Sequence, residues 1–207
     1  YAAIDSDVPT YDDNGNLTFD GIDKNFTYDE LNRLVGFDTT GTSNDAIYEY
    51  DALNRRISKT VDGVTTYFVY DGDSVIEEYD HAVSASVPQA EYVLGNAIDE
   101  ILMMGRGADE YYYHYDGLGS VAELTDDTGA VEESYTYDPY GNVEIFDGTG
   151  ASLGQTSDVG NRYMFTGQEF DEESEMYHYN ARAYNSQIGR FLQRDPIEYY
   201  DSMNLYQ

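Results

Sequence analysis

Apolar and polar positions alternate along this chain in short runs, and the runs are tied to a returning phrase. Tyr11-Asp12, Tyr28-Asp29, Tyr50-Asp51, Tyr70-Asp71, Tyr115-Asp116 and Tyr137-Asp138 mark it, with Tyr92-Val93 filling the one gap. From Tyr28 onward the marks stand 20 to 23 residues apart, after a first step of 17. A unit of that length is one supersecondary element that cannot bury its apolar face alone, so it folds by stacking on its neighbours.

Each unit has the grammar of a hairpin. In Tyr11-Asp12-Asp13-Asn14-Gly15-Asn16-Leu17-Thr18-Phe19 the Asn-Gly pair suits the positive-φ positions of a tight turn between two strands. Residues 26–35 and 47–57 repeat the pattern with longer turns, and Asp62-Gly63, Asp71-Gly72, Asp80-His81 and Gly95-Asn96 are further turn signals. Tyr48 and Tyr50, like Tyr113 and Tyr115, are two apart and share one face of a strand, which predicts a row of stacked tyrosines. Helix signals are poor: the longest candidate, residues 98–104, ends at Gly105. Residues 81–90 and 147–161 read as exposed loops, the second also as a local boundary. The expected class is therefore all-β, a repeat array of hairpins forming one continuous sheet.

Composition sets the environment. The 207 residues carry 41 acids against 10 bases, a formal charge of -31. Nucleic acid and anionic membrane surfaces need a basic footprint and are excluded as partners. A saline surrounding, a cationic partner or divalent ions fit the charge instead. With no cysteine, disulfides, thiol nucleophiles and thiolate metal sites are absent. No apolar run reaches membrane-spanning length, and the two ends read as those of an internal fragment.

Several phrases together are similar to the Rhs/YD-repeat family and its conserved core segment. They are Tyr113-His114-Tyr115-Asp116-Gly117-Leu118-Gly119-Ser120, Tyr137-Asp138-Pro139-Tyr140-Gly141-Asn142, and Arg162-Tyr163-Met164-Phe165-Thr166-Gly167-Gln168-Glu169-Phe170-Asp171. Tyr177-His178-Tyr179-Asn180-Ala181-Arg182, Gly189-Arg190-Phe191-Leu192-Gln193-Arg194-Asp195-Pro196-Ile197 and Asn204-Leu205-Tyr206 continue the run. The resemblance divides the chain into degenerate YD repeats over 1–112 and a core segment over 113–207, with 146–161 as a flexible insertion. It implies a spiralling β-strip that forms a hollow shell, tube or fibre in a secreted or surface-exposed protein. In toxin relatives the shell encloses a C-terminal toxin, and the core segment plugs it and cuts its own chain.

That resemblance makes Asp195, with Arg190 and Arg194, the candidate self-cleavage cluster. A carboxylate can activate water, and an arginine can orient it or steady developing charge. Equally, Asp195 could cap a turn before Pro196 while the arginines pair with acids. Residues 198–203 depart from the Gly-Leu that relatives carry after Asp-Pro-Ile, and the family's downstream cut element is expected beyond Gln207. Arg162 and Arg182 are expected to pair with carboxylates and aromatic rings. His81 falls in a loop, whereas His114 and His178 sit in strand patterns without a second histidine at metal-ligand spacing. Calcium is the candidate ion: Asp12, Asn14 and Asn16 gather hard oxygen ligands in one turn, as do Asp71, Asp73, Asp126 and Asp127. Three functions follow: a structural shell segment, the plug end of a self-cleaving toxin cage, and a surface adhesion module. Its partners would be the rest of its own chain, an encapsulated toxin, or further copies in a fibre.

Overall fold

The computed structural model describes residues 8–39, 46–80, 86–97, 99–196 and 203–206. The first hairpins are built from β1 (Thr10–Tyr11), β2 (Leu17–Phe19), β3 (Lys24–Tyr28), β4 (Leu34–Thr39), β5 (Ala46–Tyr50) and β6 (Arg56–Val61). The middle follows with β7 (Val64–Asp71), β8 (Ser74–Asp80), β9 (Ala90–Leu94), β10 (Ile101–Arg106) and β11 (Asp109–Tyr115). Then come β12 (Val121–Thr125), β13 (Val131–Tyr137), β14 (Val143–Asp147) and β15 (Ser152–Gly154). All fifteen form one antiparallel sheet in which every strand pairs with its chain neighbours. A second sheet holds β16 (Glu169–Asp171), β17 (Met176–Tyr179), β18 (Arg182–Asn185) and β19 (Arg190–Phe191), again in chain order. The all-β repeat sheet read from the sequence is the observed architecture.

The recurring Tyr-Asp pair has a definite mechanical job. In four of the pairs one aspartate oxygen accepts the N–H groups two and four residues on: Leu31 and Arg33 for Asp29, Leu53 and Arg55 for Asp51. Asp116 takes Leu118 and Ser120, and Asp138 takes Tyr140 and Asn142. The residue at the third position then needs the left-handed region, φ +84° at Gly119 and +62° at Asn32, which explains the Gly or Asn there. Asp126 and Asp147 build the same turn on the opposite rim without a tyrosine.

The tyrosine links one hairpin to the one before. Opposite Tyr11, Tyr28, Tyr50, Tyr70 and Tyr115 the following strand carries one extra residue, a bulge at Thr18, Val35, Ile57, Ile76 and Ala122 that bends that strand. The hydroxyls then donate backward to main-chain carbonyls: Tyr28 to Leu17, Tyr50 to Leu34, Tyr70 to Arg56 and Tyr115 to Ile101, each at 2.8 Å. Arg33 and Arg55 interleave with this row, their guanidiniums 4.9 and 5.0 Å from the Tyr50 and Tyr70 ring centres. The expected row of tyrosines is therefore present as a hydrogen-bonded and cation–π ladder rather than a ring stack. Removing one rung is expected to be modest: Asp116→Ala should cost about 1–2 kcal/mol in urea unfolding, since two N–H groups lose their acceptor.

The weak helix signal is not realised, and one expected loop is partly structured. Residues 101–104, part of the helix candidate, lie in β10, because alternate residues Ile101 (4% exposed) and Leu102 (46%) face opposite sides. The stretch 147–161, expected as an exposed loop, contains β15 and buries Ser157 and Asn161. Most of the rest of it, including Gly148, Thr149, Gly150, Ser152, Gly154 and Thr156, is exposed as expected. Of the 81–90 loop, residues 81–85, including His81, lie outside the described residues, as do 198–202.

Candidate functional site

Alternation along the strands gives the long sheet an open face and a face covered by the second sheet. The covered face holds two apolar clusters: one around Tyr92, Met104, Leu124, Ile145 and Tyr177, the other around Phe26, Phe37, Tyr48 and Leu192. Between them lies a lattice of buried charge. Arg56 of β6 is 1% exposed and donates to both Asp171 oxygens at 2.6 and 3.0 Å, while Glu169 stands 2.7 Å away. Lys59, three residues further along β6 and on the same face because of the bulge at Ile57, reaches Asp171 at 2.8 Å and Glu173 at 3.2 Å. Arg162 joins Glu169 at 2.9 Å to Glu78 at 3.5 Å, and Arg106 approaches Glu78 at 3.3 Å. The hydroxyls of Tyr48 and Tyr92 donate to Glu173 and Glu78.

Burial by itself would raise the Glu169 and Asp171 carboxyls. The Arg56 guanidinium overrides it, holding Glu169 at about 2, with Arg162 helping, and Asp171 well below its usual range, with Lys59 helping. His178, on β17 and tilted against Tyr50, is pushed down to about 4 by burial and then by the Arg56 charge. An unfolded histidine titrates near 6.5, so between pH 6.5 and 4 the unfolded chain binds more protons and stability falls as pH falls. The loss should reach up to about 3 kcal/mol by pH 4 and shrink in His178→Gln, measured by urea unfolding across that range. The depressed carboxyls lose their contribution only below about pH 4, so the histidine dominates this window.

A second latch lies next to the lattice. Glu133 of β13 is 1% exposed and accepts from Tyr135, from the Ser157 hydroxyl at 2.8 Å and from the Asp158 and Val159 N–H groups at 2.7 and 3.1 Å. Asn161 links the Tyr113 and Tyr135 hydroxyls. This glutamate ties the 155–161 segment over the covered face.

The candidate cleavage cluster is assembled differently from the sequence expectation. Asp195 pairs with Arg182 at 2.9 Å, and the Arg182 guanidinium lies 3.6 Å from the Phe191 ring centre. Arg190 instead sits 4.5 Å from the Tyr206 ring centre, and Arg194 approaches the Tyr206 hydroxyl at 3.4 Å. That hydroxyl donates to Gly15, and Leu17 donates its N–H to Leu192, so the C-terminal segment docks on the first hairpin. Asp195 therefore lines a groove of about 480 Å³ together with Asp13, Asn32, Gln193, Arg194 and Leu205. Sequence spacing pointed to the two nearest arginines; Arg182, thirteen residues upstream, comes in through the β18–β19 pairing.

Arg162 and Arg182 take the ring and carboxylate partners expected of them, Arg162 lying 5.1 Å from the Phe68 ring centre. His114 faces Thr125 across the β11–β12 pair at 3.0 Å. Within the proposed calcium turn the Asp12 carboxylate accepts the Asn16 main-chain and side-chain N–H groups, and the Asn14 and Asn16 amides donate to Asn32. Asp71 and Asp73 flank the exposed β7–β8 turn, and Asp126 caps the β12–β13 turn beside Asp127. Among the described residues no three His, Cys, Asp or Glu side chains gather as a metal cluster, and no helix is long and apolar enough to cross a membrane.

A hairpin strip with this Tyr-Asp ladder and a second sheet keyed onto one face defines a class of protein. Residues 4–207 match the family model described as Teneurin YD-shell, and the chain belongs to that family. It is 32% identical over 194 residues to the tRNA3(Ser)-specific nuclease WapA of Bacillus spizizenii, covering 93% of this chain and 8% of that protein. Among solved structures it is similar to TcdB2-TccC3, with a TM-score of 0.70 and 17% identity over 95% of this chain and 10% of that one. The Photorhabdus luminescens Tc holotoxin pore gives the same TM-score, identity and coverage. The chain thus spans about a tenth or less of the length of these relatives, and the likeness to the two structures is one of fold.

Proposed function

We propose that this chain is a wall segment of a hollow YD-repeat shell within a large secreted or surface-exposed protein, enclosing a toxic C-terminal domain. The observation that carries this reading is the fifteen-stranded strip in strict chain order, whose covered face is filled by the second sheet. A strip of this kind grows by adding hairpins at its ends and so makes wall, not a catalytic pocket. The nuclease name of the Bacillus relative supports a toxic enzyme as cargo. The test is protease protection of the full-length protein. Survival of a downstream domain in the native protein and its rapid digestion after mild unfolding is the expected result. Digestion of that domain in the native protein would favour open display at a surface.

A second reading rests on the Arg182–Asp195 pair beside its groove. Asp195 would accept a proton from water attacking a peptide carbonyl laid in the groove, and would pass that proton to the departing amine as the C–N bond breaks. Intact mass of the full-length product reads it out: a discrete cut that Asp195→Asn abolishes supports self-cleavage, and a single uncut chain removes it.

A further inference from the structure

All ten basic residues of the chain are committed to internal partners. Lys24 pairs with Glu175, and Arg33 and Arg55 pair with the aspartates of their own turns. Arg56, Lys59, Arg106 and Arg162 belong to the buried lattice, Arg182 holds Asp195, and Arg190 and Arg194 hold Tyr206. The 41 acids are not distributed in the same way.

Cross-strand pairing shows where the imbalance falls. The open face of the long sheet carries Glu49, Glu77, Glu91, Glu110, Glu123 and Glu144, and among its paired residues from β3 to β15 there is no Lys or Arg. Glu77 and Glu91 stand directly opposite each other on β8 and β9, and the same row continues through Gly105 to Glu110. Like charges facing each other across strands oppose the pairing, and a large net charge opposes the compact state as a whole. An ordinary cross-strand cation would relieve this, and here the cations are on the other face.

The remaining source of positive charge is the solution. We propose that the open face is built to carry a diffuse layer of dissolved cations, and that the fold reaches full stability only in a strongly saline surrounding. This holds whether or not the strip closes into a shell. Screening acts on the two faces unequally. Neighbouring strands lie about 5 Å apart and alternate ones about 10 Å, so shrinking the screening length from about 10 Å at 0.1 M to about 3 Å at 1 M removes most open-face repulsion. The buried pairs are shielded from dissolved ions and lose little. Salt should therefore stabilise, the reverse of its effect on a fold held by surface ion pairs.

Thermal unfolding of the protein at pH 7.5 in 0.05 to 2 M KCl tests this. The midpoint should rise by roughly 10 °C across the range. A Glu77→Gln, Glu91→Gln, Glu110→Gln variant should melt higher than the parent at 0.05 M and respond less steeply to salt. That difference separates screening from a general salting-out of apolar surface, which would leave the two slopes equal and overturn the proposal. A midpoint that is flat or falls with KCl would also overturn it. So would a response that saturates at sub-millimolar CaCl2 with none to KCl, because that marks a discrete divalent site.

Discussion

Arg56→Met should remove about 3–5 kcal/mol of folding stability, the largest loss expected from a single change in this chain. The guanidinium sits between Asp171 and Glu169 and is almost wholly buried. Methionine fills much of the space but leaves two buried carboxylates with only Lys59 and Arg162 to balance them. Their depressed pKa values would then rise, and stability would become sensitive to pH near neutrality. Adding Asp171→Asn and Glu169→Gln to the same variant should recover part of the loss, because the cost arises from stranded charge rather than from missing attraction. Equal losses in the single and triple variants, read by urea unfolding, would show that packing rather than charge sets the cost.

Glu133→Ala comes next, at about 3 kcal/mol. Four donors lose their acceptor together: the Tyr135 and Ser157 hydroxyls and the Asp158 and Val159 N–H groups. Each buried group left unsatisfied costs more than an ordinary hydrogen bond returns, although water entering the opened site lowers the total. Hydrogen exchange should quicken first at Asp158 and Val159, whose N–H groups lose their acceptor, before the β13–β14 pairing loosens.

These two sites mark the limit of what was legible in the sequence. The hairpin array was readable because its causes are local. An aspartate caps its own turn within four residues, and Gly or Asn at the third position meets a positive φ that the same turn creates. The covered face was not readable, because alternation in β6 is misleading taken alone. Ile57 points to the open face and is 38% exposed, while Arg56 and Lys59 point inward. Their partners lie more than a hundred residues away on β16 and the turn beyond it, in a sheet whose docking no local pattern announces. The end of the 147–161 stretch misled for the same reason: Ser157 and Asn161 are polar by type and buried by virtue of Glu133 and Tyr113. At the candidate cleavage site, the resemblance named Asp195 but not the groove it lines. Its ion-pair partner Arg182 was not, because sequence proximity favoured Arg190 and Arg194.

Cryo-electron microscopy of the full-length protein is the measurement to make. A shell wall predicts density in which this chain continues without a break into flanking hairpins, with its second sheet turned toward an enclosed volume and its acidic face outward. A map in which residues 8–206 form an isolated domain on a linker, with no enclosing strip, would contradict it.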